Sequence, residues 1–157
     1  MARVLILVCA CLPTGLAWAQ LPVEANPNPQ ALLASPDPKL AANKRLAFDF
    51  WREVVAAHHV ERAAELLTED FKQHDPTVST GRAAFLKLMG ASPPVPVKPT
   101  LEDLVAIVAE NDLVVLSFRR ELPDLANEGQ TYTTTWFEML RIENGKIAEH
   151  WDYGTKE

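Results

Sequence analysis

The chain has 157 residues, with 15 Lys and Arg against 21 Asp and Glu and a net charge of −6. An acidic balance without a basic run excludes nucleic acid and anionic membrane surfaces as natural partners. Its 2 cysteines are Cys9 and Cys11, both inside the N-terminal segment described next, so the rest offers neither disulfides nor thiol chemistry.

Met1 to Ala19 reads as a secretory signal. Arg3 supplies the positive start, Val4 to Cys11 the apolar run, Pro13-Thr14-Gly15 a break, and Ala17-Trp18-Ala19 the small-x-small pattern before Gln20. The apolar run is too short to span a bilayer, so no membrane span is expected. Cleavage near Ala19-Gln20 predicts a periplasmic or extracellular protein. Lipidation at Cys11 is the poorer reading, because it would leave a very short apolar region. Loss of Arg3 lowers the basic count from 15 to 14 and takes the net charge to −7.

Residues 20–38 hold Pro22, Pro27, Pro29, Pro36 and Pro38 among small and polar neighbours, a composition that predicts an extended, mobile leader. Residues 39–157, about 120 in number, then make one domain. Asp37-Pro38 predicts a helix start, with Asp37 as cap and Pro38 in the first turn. Leu40, Ala47, Phe50, Trp51 and Val54 continue it as an apolar face to about Ala57, before the polar end at His58-His59. Val60 to Leu67 predicts a short second helix. Phe71 to His74 predicts a short extended segment stopped by Asp75-Pro76. Thr80 is the expected cap of a third helix, Gly81 to Met89, ended by Gly90. Pro93, Pro94, Pro96 and Pro99 stiffen the loop that follows.

From Leu101 the period becomes that of strands. Leu101 to Ala109 and Leu113 to Leu122 flank the turn Glu110-Asn111-Asp112, and the Leu113 to Phe118 run is apolar enough to predict burial on both faces. A long strand, Thr131 to Ile142, meets a last one at Glu143-Asn144-Gly145. Helices followed by an antiparallel meander predict an α+β domain with helices on one face of a curved sheet.

The register of the last hairpin decides the chemistry. A two-residue turn at Asn144-Gly145 puts Glu138 and His150 on opposite faces, whereas a three-residue loop puts Glu138 opposite His150 and Phe137 opposite Trp151. Side-chain matching favours the three-residue loop, because it pairs two aromatics and gathers Glu138, His150 and Asp152 on one face. With His74, these residues are the candidate catalytic set: Glu138 or Asp152 as base, His150 to orient it or return the proton, and His74 to polarise a carbonyl oxygen. Trp51, Phe50, Phe85 and Trp136 are the expected pocket walls, with Tyr132 as a further donor. A metal held by His74, His150 and Asp152 is the disfavoured alternative, for lack of diagnostic spacing. Without a nucleophile elbow or a phosphate-binding glycine loop, no cofactor is expected. A non-catalytic module for a small ligand remains the rival reading.

Gln73-His74-Asp75-Pro76, Gly81-Arg82, and Glu138-x-x-Arg141-Ile142-x-x-Gly145-Lys146-Ile147-x-Glu149-His150-Trp151-Asp152 together resemble the SnoaL-like polyketide cyclase branch of the nuclear transport factor 2-like superfamily, over about Leu40 to Tyr153. The resemblance implies a cone-shaped barrel of curved antiparallel sheet around N-terminal helices, enclosing one pocket and frequently dimerised through the sheet. It also implies cofactor-free acid/base chemistry on a small apolar or carbonyl-containing molecule: ring closure, isomerisation or dehydration. The family's carboxylate, usually Asp three residues before the Arg, maps onto Glu138, one methylene longer. His74 and His150 match its recurrent histidines.

Overall fold

A computed structural model describes residues 21–154; the signal segment lies outside them. Helix α1 spans Pro38–Phe50, and the Asp37 carboxylate accepts from the backbone N–H groups of Lys39 and Leu40, satisfying two donors of the first turn as expected. The helix runs on into a single π turn, Trp51–Val55, in which the Ala56 N–H donates to the Trp51 carbonyl. A 3-10 turn at Val60–Arg62 and the short α2, Ala63–Leu66, lead into β1, Leu67–Gln73. Helix α3 is Arg82–Met89, followed by β2 (Leu104–Glu110), β3 (Leu113–Pro123), β4 (Thr131–Glu143) and β5 (Lys146–Trp151).

The five strands form one open sheet in the order β1-β5-β4-β3-β2. The helices cover one face, and between the layers lie Phe48, Phe50, Val54, Leu116, Leu140 and Ile147, each no more than 1% exposed. This is the expected α+β cone, although the edges β1 and β2 do not meet to close a barrel. It is also not antiparallel throughout, because β1 pairs with β5 in parallel, Gln73 beside His150. The extended segment expected at Phe71 to His74 is the end of that longer strand. The Leu113 to Phe118 run departs from burial on both faces: Val114, Leu116 and Phe118 are buried inward, while Leu113 and Val115 are only half-buried.

Two local expectations are corrected. Thr80 does not cap α3; its hydroxyl accepts from the Gln73 N–H at 3.0 Å, and Gly81, at φ 103°, makes the entry to the helix instead. Folded contacts also reach back beyond Asp37 into the proline-rich leader. Pro29–Leu33 is a 3-10 turn with Leu33 in the core, and the Val23 N–H donates to Thr133 Oγ1 at 2.7 Å. Proline limits helix and sheet, but it leaves carbonyls and apolar rings free to pack on a sheet that others have built.

The β4-β5 hairpin turns on two residues. Asn144 and Gly145 adopt φ 50° and 73°, and Glu143 pairs with Lys146. The three-residue loop is therefore wrong, because two consecutive left-handed residues match the twist of the flanking strands. The facing it was chosen to explain is nevertheless present, by another route. Ile142 pairs with Ile147 but Arg141 with Glu149, so Ala148 is an extra residue in β5, a bulge. Ile147 and Ala148 are both buried, and beyond them His150 lies opposite Leu140 and Trp151 opposite Met139. Phe137 thus has no aromatic partner in Trp151 and is 58% exposed.

Candidate active site

Leu140 faces the core, so its cross-strand neighbour His150 does too, and Glu138, two residues along β4, points the same way. His150 Nε2 stands 2.7 Å from Glu138 Oε2, and the two residues are 5% and 4% exposed. Burial pushes the Glu138 carboxyl above the ordinary glutamate range, and the hydrogen bond from His150 pulls it partly back. Asp152 joins the cluster, its carboxylate and those two side chains each offering a ligand atom within 4.8 Å of the others. Asp75 lies close by, its carboxyl held low first by the Thr77 hydroxyl and in lesser part by Asp152. The chain end packs directly on it: a Cβ on Gly154 would meet Asp75 Oδ1 at 2.5 Å.

His74 is not part of this site. Gln73 pairs with His150 and shares its inward face, so the next residue must project outward. There the His74 ring stacks on Trp151, centroids 4.7 Å apart and planes 2° apart, and its Nε2 lies 3.1 Å from Glu149 Oε2. The residue that does meet His150 is Gln73, whose Nε2 lies 3.0 Å from His150 Nδ1 in the buried layer. Sequence reasoning missed it. The signal was available only as a strand alternation that makes Gln73, rather than its histidine neighbour, the inward residue.

The expected aromatic walls divide. Trp51 stacks on Phe118 at 5.1 Å and presents an edge to the His150 ring at 5.9 Å, so it does border the site. Phe50 and Phe85 are core, packed 5.8 Å apart, with Phe71 5.4 Å from Phe85. Trp136 faces inward beside Glu138; its buried Nε1 makes no hydrogen bond of good geometry among the described residues, yet the indole lies near enough to help hold the Glu138 carboxyl down. Tyr132 is 41% exposed and lies at the far end of β4.

Two cavities are lined by neighbours of the pair, Phe118 and Trp136. A cleft of about 310 Å³ at the end of the β3-β4 hairpin is bordered by Leu122, Tyr132, Trp136 and Tyr153. A second cavity, of about 250 Å³, lies beyond Phe118, between the π turn and the proline-rich loop. Arg52 and Thr100 line it, and Arg52 Nε and Thr100 Oγ1 are both buried without partners among the described residues.

A curved sheet covered by helices on one face defines a class: small α+β domains of one sheet and one helical layer. The chain belongs to the SnoaL-like domain family, whose sequence pattern matches residues 48–150. Among solved structures it is similar to a candidate SnoaL-like polyketide cyclase from Jannaschia sp. CCS1, at 15% identity and TM-score 0.53, covering 74% of this chain and 88% of that one. A candidate polyketide cyclase from Acidithiobacillus ferrooxidans is similar at 17% identity and TM-score 0.52, with 76% and 90% covered. An LEH-like epoxide hydrolase from M. tuberculosis shares 12% identity at TM-score 0.52, with 76% and 82% covered. At these identities the likeness is one of fold. No curated protein shows a significant sequence match.

Proposed function

We propose that this protein is a cofactor-free acid/base enzyme acting on a small carbonyl compound, with Glu138 as the base. The observation that carries this reading is the buried Glu138 itself, made more basic by desolvation and oriented by a 2.7 Å hydrogen bond from His150. Glu138 takes the proton from carbon next to the carbonyl. The C–H electron pair becomes the enolate, whose charge collects on oxygen, and the same carboxyl then returns the proton to a different atom or releases it to water. With His74 outside the site, the Trp136 N–H, which acts weakly on the Glu138 carboxyl in the resting protein, is the donor assigned to that oxygen. The substrate approaches through the cleft that Trp136 and Tyr153 border. The ring-closing, isomerising or dehydrating outcome depends on what the substrate carries beyond the carbonyl.

The test needs no knowledge of the natural substrate. Aromatic ketones and β-diketones are incubated with the protein in deuterated buffer, and exchange of the α-hydrogens is followed by NMR. Wild type accelerates exchange in at least one probe, and Glu138→Gln slows it by about 10²–10⁴-fold. Acceleration that survives Glu138→Gln overturns the assignment of the base.

The second reading, a non-catalytic small-ligand module, draws on the cavity beyond Phe118, where an apolar floor meets the unpartnered Arg52 Nε and Thr100 Oγ1. Under it, ligand binding is weakened by Thr100→Val and indifferent to Glu138→Gln. Export after cleavage near Ala19-Gln20 is part of the proposal, tested by mass spectrometry of protein recovered from the periplasm. Pairing through the outer sheet face, where Val108 and Phe137 are 59% and 58% exposed, is tested by analytical ultracentrifugation.

A further inference from the structure

Gln73 Oε1 lies 2.9 Å from the His74 backbone nitrogen and 3.3 Å from that of Asp75. Backbone N–H groups only donate, so the atom facing them must be the amide oxygen, and the end turned toward His150 must be the NH₂. An NH₂ also only donates. His150 Nδ1, 3.0 Å away, must therefore present its lone pair. In a neutral imidazole the proton then sits on Nε2, which donates to Glu138 Oε2 at 2.7 Å.

We infer that Gln73 is a positioning residue: it fixes His150 in the Nε2–H tautomer, so that His150 is a permanent donor to Glu138 and its Nε2 is closed to a metal ion. The inference deepens the proposed acid/base reading and rests on it for its catalytic meaning. Two consequences follow. His150 orients the carboxylate but does not carry the substrate proton onward, because Nδ1 faces a donor and the path ends there. The proton that Glu138 takes must be returned by Glu138. The cluster of Glu138, His150 and Asp152 looks suited to a cation by spacing alone, but a metal on Nε2 needs that nitrogen's lone pair and moves the proton to Nδ1. There it would point at the N–H of Gln73, whereas metal-bound histidines donate their second N–H to an acceptor. Turning Gln73 over would set its N–H groups against the two backbone donors, of which the His74 N–H is shared with the His150 carbonyl at 3.0 Å.

The test reads the tautomer in the resting protein, so it can fail independently of whether Glu138 is the base. Long-range ¹H–¹⁵N NMR of tag-free wild type is expected to show His150 with a pyridine-type Nδ1 and a pyrrole-type Nε2. In Gln73→Glu, a carboxylate oxygen replaces the amide NH₂ while the other still accepts from the backbone. His150 should then carry a proton on both nitrogens, one donating to Glu138 and one to the new carboxylate, and Zn²⁺ added alone, which can displace the Nε2 proton while Nδ1–H keeps an acceptor, should bind at least about 10-fold more tightly than to wild type. A wild-type spectrum with the proton on Nδ1 overturns the inference at once, whether or not any variant folds. A folded Gln73→Glu that carries a proton on Nδ1 without a gain in Zn²⁺ affinity overturns the exclusion of metal.

Discussion

Glu138 and His150 are hydrogen-bonded at 2.7 Å although they are not cross-strand partners; His150 lies opposite Leu140, one step along the same face. The bulge at Ala148 creates this diagonal relationship. An unbroken ladder from the Asn144-Gly145 turn would place Met139 opposite His150 and send the imidazole to the outer face.

Glu138 makes stability depend on pH. Its folded pKa is raised above the ordinary 4.5, chiefly by burial, so the folded chain holds this proton more tightly than the unfolded one. That stabilisation is complete below the unfolded pKa and is lost as pH rises through the folded pKa. Glu138→Gln removes the loss while keeping an acceptor for His150. Urea unfolding at pH 7.5 should find the variant more stable than wild type by about 0.5–2 kcal/mol, the range for relieving a functional-site conflict. The advantage should shrink toward pH 4, and a constant difference across the range would contradict the burial argument.

His74 separates the two faces of β1. His74→Ala should leave α-hydrogen exchange unchanged and cost only about 0.2–1 kcal/mol, since the ring is exposed and its pairing with Glu149 is a surface one. The Glu149 carboxyl, held low first by His74, should titrate nearer its ordinary value in a carboxylate NMR series. His150→Ala, by contrast, should slow exchange. Equal effects of the two variants would return His74 to the site.

Gly145, at φ 73° with nothing within 4 Å of an added Cβ, isolates backbone conformation from packing. Gly145→Ala should cost about 1–2 kcal/mol, measured by chemical unfolding. A loss of α-hydrogen exchange larger than the loss of stability would show that the turn also sets the placement of His150.

Trp51 is 8% exposed and touches both Phe118 and the His150 ring. Trp51→Ala should destabilise by about 3–5 kcal/mol. Trp51→Phe, which keeps a ring against Phe118, should cost markedly less, and the pair should be compared by urea midpoint.

Much of this was legible in the residues. The Asp37-Pro38 start, the apolar side of α1 and the helices-then-strands order follow from local rules, in which capping, period and side-chain polarity act within a few positions of one another, whereas the facing of Glu138 and His150 was expected from a three-residue loop that the chain does not form. What the sequence could not decide was anything set by a partner distant in the chain. The parallel seating of β1 on β5 brings Gln73 to His150 across 77 residues and turns His74 away. The bulge at Ala148 leaves no mark in composition, because an alanine tucked behind an isoleucine looks like any apolar pair. Only the packed sheet, which must bury Ile147, Ala148 and His150 together, selects it.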